Sequence, residues 1–156
     1  MTDGFTYTVT GLDELLAKVD PGKLLGPALK EFFNTATQSI KNEVKDLTPV
    51  GLSGQLKSSI STEVDSGDIP LWGKVGPSVN YAPFVEFDTK PHWTSVHNLE
   101  AWASAKGLNP FMVQRAIAAH GTKGAHMFEQ GLDNSRDHID DLVYIAGQKI
   151  EGTFST

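Results

Sequence analysis

Between Leu25 and Leu47 apolar side chains return every three or four residues: Leu25, Ala28, Leu29, Phe32, Phe33, Ala36, Ile40, Val44 and Leu47. That is the period of an α-helix with one broad apolar face, and Pro49 marks where it must stop. If half of the apolar side chains on this helix of about six turns are fully buried at about 2 kcal/mol each, the face contributes on the order of 10 kcal/mol. It therefore becomes a wall on which the rest of the chain is assembled.

Upstream, Phe5 to Thr10 alternates aromatic or aliphatic residues with threonine, the pattern of a half-buried strand. A short helix with Leu12, Leu15, Leu16 and Val19 comes next, and Asp20-Pro21-Gly22 is expected to break it. Downstream, Ser53 can cap a single turn leading into a strand from Ser59 to Val64. Asp65-Ser66-Gly67-Asp68 is a turn, and Leu71 to Val75 is the returning strand. The opening strand is a plausible neighbour of this hairpin. Ser95 begins a helix with Val96, Leu99 and Trp102, and Asn109-Pro110 begins another that stops at His120-Gly121. Together they make a helical hairpin over residues 95–120. A final helix carries Met127, Phe128 and Leu132, then, after a possible break at Asp133-Asn134, Ile139, Leu142, Val143, Ala146 and Ile150. Asp137, Asp140 and Asp141 mark its solvated face, since they lack the spacing of a calcium loop. The expected fold is α+β and a single domain over residues 1–156: a long N-terminal helix and a C-terminal helix packed on a small antiparallel sheet, with the helical hairpin inserted.

The densest signals lie in residues 76–89, Gly-Pro-Ser-Val-Asn-Tyr-Ala-Pro-Phe-Val-Glu-Phe-Asp-Thr. Pro77 ends a strand because it has no amide to donate. Asn80 can cap a short helical turn that tolerates Pro83 near its start. Such a turn sets Tyr81, Phe84 and Val85 on one side. Glu86, between two apolar residues, reads either as a solvated residue at the turn's edge or as an ion-pair partner across a subunit contact. Trp72 on the hairpin and Trp93 in the loop after the corner read as partly buried core residues or as interface anchors.

Composition narrows the function. A formal net charge of −6 argues against a protein that grips nucleic-acid phosphates, although it permits DNA to pass nearby. With no cysteine there are no disulfides and no thiolate zinc sites. No apolar run is long enough to span a membrane. Met1 to Gly4 shows neither a basic segment nor an apolar core, so a secretory signal is not expected, and a reducing cytoplasm is the default place of synthesis. His92 and His97, and likewise His120 and His126, lack the spacing that puts two imidazoles on one helix face. No nucleophile elbow, phosphate loop or dinucleotide fingerprint is present, so an enzyme has no positive support and no cofactor is expected.

Two stretches read together resemble the head–tail morphogenesis family of long-tailed phages, which is related to the lambda minor tail protein Z group. They are Pro49-Val50 with Gly54, Leu56, Lys57, Ser59 and Ile60, and then Val79-Asn80-Tyr81-Ala82-Pro83-Phe84-Val85-Glu86-Phe87. Gly121-Thr122-Lys123 before a terminal helix with Phe128 is similar to a later signal of that family. The chain departs from the pattern by one added residue between Pro49 and Gly54, by Leu52-Ser53 where the family has Asp-Thr, and by Asp88 where it has glycine. The resemblance covers roughly residues 12–150. It implies a structural virion protein without cofactor: a neck or tail-completion (tail-terminator) subunit in a homo-oligomeric ring, six copies expected. Its partners would be the head-connector and tail-tube proteins, with DNA passing through the ring. Tyr81, Phe84, Glu86, Trp72 and Trp93 are then candidates for subunit or partner contact, and the 95–120 hairpin for the partner-facing element. The alternative from another class is a small metal-dependent hydrolase using His92, His97 and Glu86.

Overall fold

The computed structural model describes residues 20–154, so the expected strand at 5–10 and helix at 12–19 lie outside the described residues. Helix α1 spans Pro21–Leu47 and begins where the sequence suggests a break. Asp20 is its N-cap, and its Oδ1 accepts from the amides of Gly22 at 3.0 Å and Lys23 at 3.4 Å. Pro21 takes the first helical position, where no amide is needed, so Asp-Pro-Gly starts a helix here. At the other end Thr48 leaves helical geometry one residue before Pro49.

A single turn, α2 (Gln55–Ser59), leads directly into β1 (Ile60–Val64). β1 pairs antiparallel with β2 (Gly73–Pro77), Thr62 opposite Val75 and Glu63 opposite Lys74. The expected hairpin forms, with its returning strand displaced two residues towards Pro77. Ile60 is buried and Ser61 and Glu63 are exposed, the alternation of a sheet with one covered face. α1 lies on that covered face.

The short turn α3 (Ala82–Glu86) is next in the chain, then α4 (Val96–Ala105), α5 (Pro110–His120) and α6 (Met127–Phe154). α4 and α5 are the expected helical hairpin. Gly107, with φ of 67°, turns the chain between them, and Asn109 Oδ1 caps α5 by accepting from Phe111 N at 2.9 Å. α6 is one uninterrupted helix, and the break expected at Asp133-Asn134 is absent. It runs mainly along α1 and meets the sheet through its first turn, where Met127 and Phe128 join the core. That core centres on Val44, Leu56, Ile60, Ala82 and Met127. Gly131 lets the two long helices close, because a Cβ there would stand 2.6 Å from Val44 Cγ2. Asp137, Asp140 and Asp141 are exposed, as expected.

Candidate subunit-contact site

The corner after β2 is a rigid piece of chain. The amide of Ser78 donates to Ser59 O at 3.2 Å, that of Ala82 to Val79 O at 3.3 Å, and that of Phe84 to Tyr81 O at 3.1 Å. Tyr81, not Asn80, occupies the cap position, with φ −86° and ψ −5°. In this five-residue helix Ala82 is buried and Val85 packs against the core. Tyr81 and Phe84 are instead 39% and 68% exposed. The expected one-sided cluster of Tyr81, Phe84 and Val85 is thus divided, with Val85 inward and the aromatics outward. Phe87, just past the turn, is exposed as well. This leaves a run of aromatic surface on a backbone that cannot easily fold it away.

Glu86 corrects both readings of it, since it is neither solvated nor free for a partner subunit. The residue is 6% exposed, and its carboxylate caps the start of α6. Phe128 N donates to Oε1 and Oε2, each at 3.2 Å, and Glu129 N donates to Oε1 at 3.4 Å. The first amides of a helix have no partner within the helix and carry partial positive charge, so a buried carboxylate there satisfies both sides. The neighbouring backbone is paired as well. Ala125 N donates to Val85 O at 2.8 Å, His126 N to Glu86 O at 3.0 Å and Thr89 N to Thr122 O at 2.9 Å. A second layer is made by side chains. Thr122 N donates to Thr89 Oγ1 at 2.9 Å and Gly124 N to Asp88 Oδ1 at 2.7 Å.

Residues 85–89 and 121–129 therefore form one clamp, and the later Gly-Thr signal and the aromatic corner are its two halves. Gly124 is required by close approach, since a Cβ would meet the backbone of Glu86 and Phe87. His126 holds φ at 49° in the clamp and stands between Asp88 Oδ1 at 3.6 Å and Glu129 Oε2 at 3.4 Å. The amide of Gly124, with further help from His126, holds the Asp88 carboxyl below the usual value for aspartate. Sequence reasoning missed Gly124, and it weighed His126 only as a metal ligand, not as part of this clamp. The glycine in Gly-Thr-Lys-Gly was the available signal.

On the other side of α3 opens a cleft of about 430 Å³. Pro49, Val50 and Leu56 from the first motif line it, with Tyr81 and Val85 from the second. Trp102 and Lys106 from the helical hairpin complete its wall, two residues that spacing alone did not single out for a site. The hairpin is thus joined to the body where the two motifs meet. Trp72 and Trp93 do not line this cleft. Trp72 lies beneath the Lys74 ammonium, 4.4 Å from ring centre to nitrogen, and Trp93 is 71% exposed.

The histidines are dispersed in role. His92 Nδ1 is 2.8 Å from Lys90 O, and His97 pairs with Glu100 within its own helix. Among the described residues no three histidine, aspartate or glutamate side chains are grouped to hold a metal ion. No helix among them is long and apolar enough to cross a membrane. No family model, curated protein or solved structure matches this chain significantly.

Proposed function

We propose that this protein is a structural subunit of a tailed-phage virion: a ring-forming neck or tail-completion component that joins the head connector to the tail tube. The observation that carries the reading is the meeting of both motif stretches at one open apolar cleft, beside a braced turn that exposes Phe84 and Phe87. Aromatic residues presented on fixed backbone are what a subunit contact needs, because little conformational freedom is lost when they are covered. A cleft on one side of α3 and exposed rings beside it are different surfaces. A contact between different surfaces repeats head to tail, and it closes into a ring when the rotation allows. The net charge of −6 suits a ring through which DNA passes without being held.

Native mass measurement of the purified chain, alone and with tail-tube protein, tests this reading. A closed ring, six copies expected, supports it; a strict monomer in both samples overturns it. Electron microscopy of the parent particle then separates the two jobs open to such a ring. Density capping the tube fits a terminator, and density between connector and tube fits a joint.

A further inference from the structure

Charge is unevenly divided along the chain. Between Thr89 and Ala125 stand Lys90, Lys106, Arg115 and Lys123 against Glu100 alone, a net +3 in a chain of −6, which leaves −9 for the remainder. Most of that stretch is the helical hairpin. Its α4 packs on α5, and neither packs along α1, α6 or the sheet. Bonds across its base hold it out from the body: Gln114 Nε2 donates to Thr94 O at 2.7 Å, and Thr89 Oγ1 lies 2.8 Å from Thr122 Oγ1. Lys106 and Arg115 are exposed on this basic arm and have no ion-pair partner among the described residues.

The opposite pole is α6, with six carboxylates against Arg136 and Lys149. Arg136 pairs with Asp133 at 3.1 Å and Lys149 with Glu31 of α1 at 2.6 Å, so neither cation neutralises Asp137 or Asp140. Gly131, Ser135 and Ala146 are buried on the side of α6 that runs along α1. Asp133, Asp137, Asp140 and Tyr144 follow one another at three and four residues on the exposed face. These poles coincide with the contact surfaces described above. Lys106 and Trp102 form the wall of the cleft, and Phe87 shares a hollow of about 240 Å³ with Phe128 in the first turn of α6.

We propose that the hairpin of one copy docks on the exposed face of α6 in a neighbouring copy, Lys106 and Arg115 against Asp137 and Asp140. This docking rests on the reading that copies of the chain assemble, and it gives that assembly its two faces. Within one copy the faces do not meet, because the hairpin does not pack along its own α6. Between copies, hairpin on hairpin or α6 on α6 sets like charges together, whereas hairpin on α6 pairs opposite ones. Phe111 and Met112 on the arm and Val143 and Tyr144 on α6 are exposed and supply apolar area for the same contact. DNA is a poorer fit to the arm, since the −9 carried by the rest of the chain repels a polyanion.

Charge reversal with native mass measurement tests the docking. Lys106→Glu/Arg115→Glu makes both faces acidic, and Asp137→Lys/Asp140→Lys makes both basic, so each variant alone should weaken assembly at least about tenfold. Mixing the two variants should restore it, because each arm then meets an oppositely charged α6 on the other variant. Assembly that persists in both variants overturns the docking while leaving the ring reading intact, and so does a mixture of folded variants that stays dissociated. A reciprocal dimer that obeys the reversals supports the docking and rejects the ring. Wild-type chain that stays monomeric overturns both. Should a reversed pair fail to fold by circular dichroism, Lys106→Gln/Arg115→Gln and Asp137→Asn/Asp140→Asn replace them, each expected to weaken assembly at least about threefold; no weakening in either overturns the docking. Retention of the wild-type chain on double-stranded DNA at about 0.15 M salt, lost in Lys106→Glu/Arg115→Glu, would assign the arm to phosphate and overturn it as well.

Discussion

Glu86 shows how far a residue's role can lie from its local surroundings. Between Val85 and Phe87 it looks like a charge at the edge of a turn, but the amides it serves belong to Phe128 and Glu129, more than forty positions along the chain. Glu86→Ala should leave those amides without acceptors and cost about 1–3 kcal/mol, read as a lower midpoint in chemical denaturation. Glu86→Gln, which keeps one acceptor oxygen, should cost less. An unchanged midpoint in the alanine variant would show that the carboxylate does not hold α6. Asp88 gives a pH prediction with a definite sign. Its native pKa lies below the ordinary 3.8, so its contribution to stability is complete above that value and is lost as pH falls through the lowered native one. Asp88→Asn should remove that acid-side slope and leave the neutral-pH side unchanged in shape, as measured by denaturation across pH. The proximity of Asp88 to Gly124 could not be read from either sequence stretch alone.

At the scale of elements, periodicity found the helices and misjudged their punctuation. Asp20-Pro21-Gly22 suits a helix start as well as a helix stop, and the long apolar face of residues 25–47 decides for a start. Asp133-Asn134 looked like a break, yet Asp133 bonds Arg136 one turn on at 3.1 Å, and Asn134 reaches Glu43 of α1 at 3.4 Å. Contact with α1 outweighs the weak helical preference of those two residues. The same helix supplies two opposed tests. Gly131→Ala would push a methyl into Val44 and should destabilise by about 1–3 kcal/mol. Gly147→Ala meets nothing within 4 Å and should stabilise by about 0.5–1 kcal/mol through helix propensity. Thermal or urea unfolding of both variants checks the pair, and equal effects would contradict the close crossing of α1 and α6.

For the whole molecule, the question is what the outward aromatics are for. Phe84 is 68% exposed and contributes little to the core, so Phe84→Ala should fold with nearly the wild-type unfolding midpoint, within about 1 kcal/mol. If they hold copies together, the same variant should lose higher-mass species in native mass measurement and lower the yield of infectious particles. A folded variant that assembles at the normal rate would remove the subunit-contact role from this turn.

The α+β class, the long first helix, the β-hairpin and the helical hairpin were all legible in the chain, because each rests on a period or a turn signal within a few neighbouring residues. The aromatic corner was legible as a corner for the same reason. Only the tertiary structure joined residues 85–89 to 121–129, buried Glu86 and brought Trp102 to the wall beside Tyr81. Those are contacts between residues distant along the chain, and whether a charge is solvated or paired depends on what the fold lays over it.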